Sequence, residues 1–220
     1  MSFDFHIHSD WSDGDNSIEE IMQAAKEKGL DIIGINDHIS DIKASIPLDR
    51  DALKDYLLDI REFSKSVGIA AFAGLEVDIF PLDELDINLL NEFDYLIFEN
   101  IRGLPKIKAI CEFSKKLNGP LVGLAHADLK YPEELFRKII NLLEEHNIFI
   151  ELNANYTENY EAVRDLFSII SNSHVGISIG SDSHSIKTIG LFNYAVEFVE
   201  SFNIKIEERL VLLKKFQKGQ

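Results

Sequence analysis

The sequence is poor in several features that would otherwise narrow its reading. One cysteine, Cys111, stands in 220 residues. That excludes an internal disulfide and makes a reducing cytoplasm the expected location. Cys111 falls among Ile107, Ile110 and Leu117 at helical spacing, so it reads as core packing. No apolar run reaches the ~20 residues that span a bilayer, and no membrane partner is expected. The amino terminus enters a strand-like stretch without the basic and apolar regions of a signal peptide. Basic residues are scarce: 22 Lys and Arg stand against 38 Asp and Glu, a net charge of −16. Such a chain repels nucleic-acid phosphates unless it carries a local basic groove, and no basic run is present. Nucleic acid is therefore not an expected partner. No glycine-rich dinucleotide or P-loop fingerprint follows any predicted strand, and there is no linker, low-complexity tract or internal repeat.

What is present is ordinary in bulk and organised in detail. Hydrophobic residues make up 45% and charged residues 27%, as in a globular domain, and residues 1–220 read as one domain with a sizeable core. Strand-like and helix-like stretches alternate along the chain. Predicted strands cover about 3–8, 31–36, 69–78, 95–98, 121–125, 148–152 and 176–179. Ser17 with Glu20 reads as a capping box, Pro47 precedes a helix over 49–67, and Pro132 is expected in the first turn of another. Residues 82–93 read as a looser segment. Helices are expected near 105–118, 160–171, 194–202 and 207–216. The alternation implies parallel strands with helical crossovers, as a closed barrel or an open doubly wound sheet.

Chemistry collects at the carboxyl ends of these strands. Of seven histidines, His6, His8, His38, His126 and His184 lie there, with Asp37, Glu76, Glu99, Glu151 and Asp182. His6 and His8 share one face of the first strand, with Asp4 behind them, because alternate side chains of a strand point the same way. Asp13 on the following loop can add a carboxylate. In a parallel barrel all strand ends open on one face, whereas an open sheet spreads them along a line. The clustering favours the barrel, with the first and seventh strands adjacent. Imidazoles mixed with carboxylates suit zinc, manganese or iron better than magnesium or calcium alone. His146 and His174 have no ligand-like neighbours in the sequence.

The ordered motifs carry a resemblance. They are His6-Ile7-His8-Ser9 with Ser12-Asp13-Gly14, Asn36-Asp37-His38, Gly74-Leu75-Glu76-Val77-Asp78, Ala125-His126, and Gly180-Ser181-Asp182-Ser183-His184. This set resembles the PHP family, named for its polymerase and histidinol phosphatase members, and spans nearly the whole chain. The resemblance implies an α/β fold, a distorted seven-stranded (βα)7 TIM-like barrel, with a trinuclear metal centre that hydrolyses phosphoesters; two to three divalent ions are expected here. It implies the ligands His6, His8, Asp13, His38, Glu76, His126, Asp182 and His184, with Glu76 bridging two ions. One departure stands out. Many relatives have a histidine just after the fourth strand, where this chain has Glu99-Asn100-Ile101-Arg102. Glu99 is expected to replace that ligand at the ion shared by Glu76 and His126. The alternatives are a site of two ions, or a Glu99 that pairs with Arg102.

The expected function is a metal-dependent phosphoesterase, histidinol-phosphatase-like, acting on a small phosphorylated substrate. A metal-activated hydroxide is the expected nucleophile. Asp182 or His184 is expected to help move protons, and Arg102 and Lys130 to clamp the phosphate. Trp11 is read as a pocket wall or a hydrophobic lid. Two other readings stay open: a barrel amidohydrolase, which also begins with His-x-His, and a non-catalytic RNA-associated barrel.

Overall fold

The structure, a computed structural model, describes residues 1–79 and 82–219. The strands are β1 (Phe3–Ile7), β2 (Ile32–Ser40), β3 (Ala70–Asp78), β4 (Tyr95–Phe98), β5 (Leu121–Leu124), β6 (Ile148–Asn153) and β7 (Ile177–Gly180). Each pairs in parallel with the next, in chain order. The helices are α1 (Ile18–Glu27), α2 (Arg50–Val67), α3 (Ile87–Leu90), α4 (Leu104–Ser114) and α5 (Glu133–Glu145). They continue with α6 (Thr157–Glu161), α7 (Phe167–Ser171), α8 (Asn193–Glu200), α9 (Ile206–Arg209) and α10 (Val211–Gly219). Among the described residues no helix is long and apolar enough to cross a membrane.

The sheet curls into a nearly closed barrel. Among the described residues, the backbone seam between β1 and the segment after β7 is closed by one bridge, Ile7 to Ser183. There the His8 N–H donates to the Ser183 carbonyl at 2.9 Å, and the Ser183 N–H donates to the His6 carbonyl at 3.3 Å. Below the bridge a side chain takes over from the ladder. The buried Asp4 carboxylate accepts from the Ser181 N–H at 2.9 Å, the Ser181 hydroxyl at 2.6 Å and the Gly190 N–H at 2.7 Å. Buried backbone donors need partners, and Asp4 supplies them where β1 and β7 diverge.

The strands are buried on both faces, as a barrel wrapped in helices requires. One face packs on helices through residues such as Ile33, Ile35, Leu75 and Leu96. The other face fills the barrel. Tyr95 projects inward, with its hydroxyl 2.8 Å from the Phe5 carbonyl and 2.5 Å from the Asn36 side-chain amide. Glycine at position 34 makes room for it: a Cβ there would lie 2.0 Å from the Tyr95 hydroxyl oxygen.

The local signals act as the sequence suggests, with four departures. Ser17 and Glu20 form the reciprocal cap of α1, which buries Ile18, Ile21, Met22 and Ala25. Pro132 is the residue just before α5 rather than part of its first turn. The looser segment contains a short 3-10 turn and α3, which Asp86 caps. The helix expected over 160–171 is broken into α6, a 3-10 turn and α7. Asn155 and Asn159 donate to the carbonyls of Asp182 and His126 at 2.8 and 2.6 Å. This pins the start of the segment to the barrel mouth, from which it must bend to bury Phe167 and Ile170. The helix expected over 207–216 breaks at Leu210, whose extended backbone forms a bridge with Ile177 of β7.

Candidate metal centre

The candidate ligands converge at the carboxyl end of the barrel. β1 carries His6 and ends just before His8. β2 carries His38 and β3 carries Glu76, which are direct register partners and so stand at one height. Glu99 follows β4, His126 follows β5, and Asp182 and His184 follow β7. Asp13 rides on the loop after β1. That loop is anchored by Asp37, which accepts from the Ser9 N–H at 2.8 Å, the Ser9 hydroxyl at 2.6 Å and the Ser12 hydroxyl at 2.5 Å. His126 and Asp182 have left-handed backbones, with φ of 31° and 54°. Such residues cost roughly 1–3 kcal/mol and persist where the surroundings hold them. For His126 the holders are Glu151 Oε2, which accepts from its N–H at 3.0 Å, and Asn159.

Glu76 is the hub. Its Oε2 lies 3.3 Å from His6 Nε2, 3.4 Å from His8 Nε2 and 3.2 Å from His38 Nδ1. Its Oε1 lies 3.0 Å from His126 Nε2. Three groups of donors lie close enough to share an ion: His6, His8 and Asp182; His8, Asp13, His38 and His184; and His38, Glu76 and Glu99. Ligands about 2.0–2.2 Å from a tetrahedral ion sit about 3.3–3.6 Å apart. The separations of Glu76 Oε2 from His6, His8 and His38, 3.2 to 3.4 Å, lie close to that spacing. The donor chemistry fits a borderline transition ion as well. His8 Nδ1, His38 Nδ1 and Glu99 Oε1 are buried and satisfy no hydrogen bond, a costly condition that a bound cation would relieve.

The electrostatics point the same way. Burial pushes the His6 imidazole down, but Glu151, Glu76 and Asp182 outweigh it and hold His6 well above its ordinary value. Burial raises Glu76, yet His6 and His126 hold it well below the carboxylate range. Asp182 is likewise lowered against burial by His6 and His8. His38 and His126 are raised against burial by Glu99 and Glu76 respectively. His8 goes the other way, pushed down by burial and by the neighbouring His6. The cluster is an anionic well that draws positive charge.

A cavity of about 320 Å³ opens beside the centre, lined among others by Lys43, Glu99, Arg102, His126, Tyr156 and Asn159. The Tyr156 ring stacks on His126 with centroids 4.2 Å apart.

Several expectations change once the loops are placed. Arg102 lines the cavity. Lys130 does not: it is exposed and its ammonium lies 3.8 Å from Asp128, because the loop after β5 carries it away from the mouth. Trp11 neither walls the cavity nor covers the mouth. It packs edge-on against Tyr56 of α2 and donates to Asp59 at 3.3 Å. Glu99 does not pair with Arg102. Its Oε2 accepts from Lys43 at 2.7 Å, and its Oε1 faces His38 Nδ1 at 3.1 Å. It groups with His38 and Glu76 rather than with Glu76 and His126. Two residues outside the expected set matter. Glu151 orients His6, and Lys43 reaches the centre from the loop after β2. Glu151 was legible as a strand-end acid. Lys43, between Ile42 and Ala44, had no sequence signal.

The chain matches the PHP domain family over residues 4–181. It is 27% identical over 199 residues to the DNA polymerase/3'-5' exonuclease PolX of Bacillus subtilis (strain 168), a match covering 84% of this chain and 34% of that protein. The chain thus spans about a third of the length of that curated relative. In fold it is similar to the histidinol phosphate phosphatase of Lactococcus lactis subsp. lactis Il1403, solved with zinc, L-histidinol and phosphate. That likeness has a TM-score of 0.68 and 16% identity, and it covers 93% of this chain and 94% of that one. A second likeness is to the metal-dependent tyrosine phosphatases YwqE of Bacillus subtilis and CpsB of Streptococcus pneumoniae. Its TM-score is 0.55 at 17% identity, with coverage of 90% and 86%.

Proposed function

Because the chain belongs to the PHP domain family, we propose that it is a metal-dependent phosphoesterase acting on a small phosphorylated molecule. The observation that carries this reading is the Glu76 carboxylate, within 3.4 Å of four imidazole nitrogens and beside a cavity lined by Lys43 and Arg102. His6, His8, Asp13, His38, Glu76, Glu99, His126, Asp182 and His184 are the residues that would hold two or three ions of zinc, manganese or iron. When bound, such ions supply Lewis acidity toward phosphoryl oxygens and a hydroxide nucleophile near neutral pH.

The chain's own groups do the rest. Glu151, 2.5 Å from His6 Nδ1, holds that ring so that Nε2 faces Glu76, the arrangement that raises ligand basicity in carboxylate–histidine pairs. Arg102 presents a fixed charge to a phosphate in the cavity. His184 sits at the rim, 40% exposed, with Nε2 3.3 Å from Asp13. When its Nε2 is free of an ion it can pass a proton between the centre and solvent, whereas Asp182 is buried against His8 at 3.1 Å and serves as a ligand only.

The relative PolX supports a second reading, hydrolysis of a terminal phosphodiester in an oligonucleotide. Against it stand the net charge of −16 and two acids, Asp128 and Glu158, on the cavity wall. The test is phosphate release from a panel of histidinol phosphate, sugar phosphates and nucleoside monophosphates, with a short oligonucleotide scored for mononucleotide release. The metal-stripped chain is assayed before and after reloading with Mn2+ or Zn2+. Metal-dependent phosphate release is the expected result. Mononucleotide release alone would favour the second reading, and no hydrolysis with ions bound would overturn both.

A further inference from the structure

Two of the three donor groups share one imidazole, His38. Its nitrogens face opposite ways. Nε2 is 3.4 Å from Asp13 Oδ2, while Nδ1 is 3.1 Å from Glu99 Oε1 and 3.2 Å from Glu76 Oε2. A fixed cation already stands beside both sides. The Lys43 ammonium lies 3.4 Å from His38 Nε2 and 2.7 Å from Glu99 Oε2. An ammonium only donates, and a neutral imidazole offers a single ring lone pair. When that lone pair on Nε2 accepts from Lys43, it is closed to an ion shared with Asp13. When Glu99 is held by Lys43, an ion on the Glu76 side must share its carboxylate with a positive charge a few ångströms away, and like charges at that range repel. The third group, His6, His8 and Asp182, has no such contact with Lys43 among the described residues.

We propose that Lys43 is a built-in cation that sets the ion content of the centre, a positioning residue that competes with metal for His38 and Glu99. The inference rests on the metal-centre reading. One ion class, at His6, His8 and Asp182, is tight. The class that uses His38 is weaker, and it fills only when the Lys43 side chain swings out.

The test is equilibrium dialysis of the full chain against Zn2+ or Mn2+ alone, with metal counted by elemental analysis. Wild type is expected to show two classes of ion. The substitution Lys43→Met keeps the chain length and removes the charge from a side chain that is already 33% exposed. It should tighten the weaker class at least tenfold and leave the tight class unchanged. Lys43→Arg keeps a donating cation and should retain the wild-type pattern. Circular dichroism confirms that each variant is folded, and Lys43→Gln repeats the charge removal if Lys43→Met is not. A charge-removing variant whose weaker class is unchanged or weakened overturns the inference. So does a wild type already saturated in one tight class. A wild type that binds no divalent ion overturns the metal-centre reading itself, and this inference with it.

Discussion

Glu151 ties His6 to His126. Its Oε1 is 2.5 Å from His6 Nδ1, and its Oε2 accepts from the His126 N–H at 3.0 Å. One buried carboxylate thus aims a ring on the first strand and steadies a left-handed backbone after the fifth. The substitution Glu151→Gln removes the charge and keeps the size. By the usual cost of losing such a partner, metal affinity should fall roughly 10–100-fold. Dialysis against Zn2+ checks this, and a variant with wild-type affinity would show that packing alone orients His6.

The metal-free chain should have a mildly acidic stability optimum. His6 is raised above its ordinary value of 6.5. Its contribution is complete below pH 6.5 and is lost as pH climbs through the raised folded value. Glu76 is lowered below its ordinary value of 4.5. Its contribution is complete above pH 4.5 and is lost as pH falls through the depressed folded value. His38 and His126 act with His6. His8 opposes them, because its folded value is lowered, and it trims the acid side. Stability should therefore peak between these two ordinary values and decline toward alkaline pH. Ions need neutral imidazoles, so metal should reverse that decline and its uptake should release protons. Thermal melts across pH, with and without Mn2+, measure both effects.

Gly180 sits where the seam meets the centre. A Cβ there would lie 2.3 Å from the His6 Cβ and 3.0 Å from Glu151 Oε1. The backbone must shift to admit it, at a cost of about 1–3 kcal/mol for an overpacked core. Gly180→Ala should lower the denaturation midpoint and, by displacing His6, weaken metal binding in parallel. A destabilised variant with unchanged metal affinity would mean that the seam absorbs the strain without moving His6.

Glu99→Gln replaces a carboxylate that faces His38 and Lys43 with a neutral amide, a poor ligand for these ions. One ion class should weaken by roughly tenfold or more, while the class built on His6, His8 and Asp182 keeps its affinity. Metal titration of the variant separates the two. If metal content, affinity and turnover all stay at wild-type levels, Glu99 is a partner of Lys43 and no more.

Cys111 packs in α4, and burial pushes its thiol up to about 11. Reactivity follows the thiolate and its access. A colorimetric thiol reagent at neutral pH should therefore label it slowly in the folded chain and fully in denaturant. Fast labelling of the folded chain would place α4 in frequent local opening.

Much of this molecule was legible one segment at a time. Hydrophobic runs, caps and glycine stops are local features, and they placed seven strands and most helices within a few residues. Strand-end chemistry was equally local: the alternation of a strand puts His6 and His8 on one face wherever the strand lies. Breaks in helices were not legible, since they answer to distant demands. Leu210 leaves its helix to bridge β7, and Asn159 anchors its segment to the His126 carbonyl. The first and seventh strands were expected side by side, but the way their seam is held was not legible, because Asp4 meets its partners at Ser181 and Gly190 only after the barrel curls round. Loop cations depend most on the tertiary path. Lys130 follows a strand end yet turns out to Asp128, while Lys43, 56 positions from Glu99 in sequence, turns in to it at 2.7 Å. Residue type and spacing determined which groups could reach the centre. The direction each loop takes over the barrel decided which of them did.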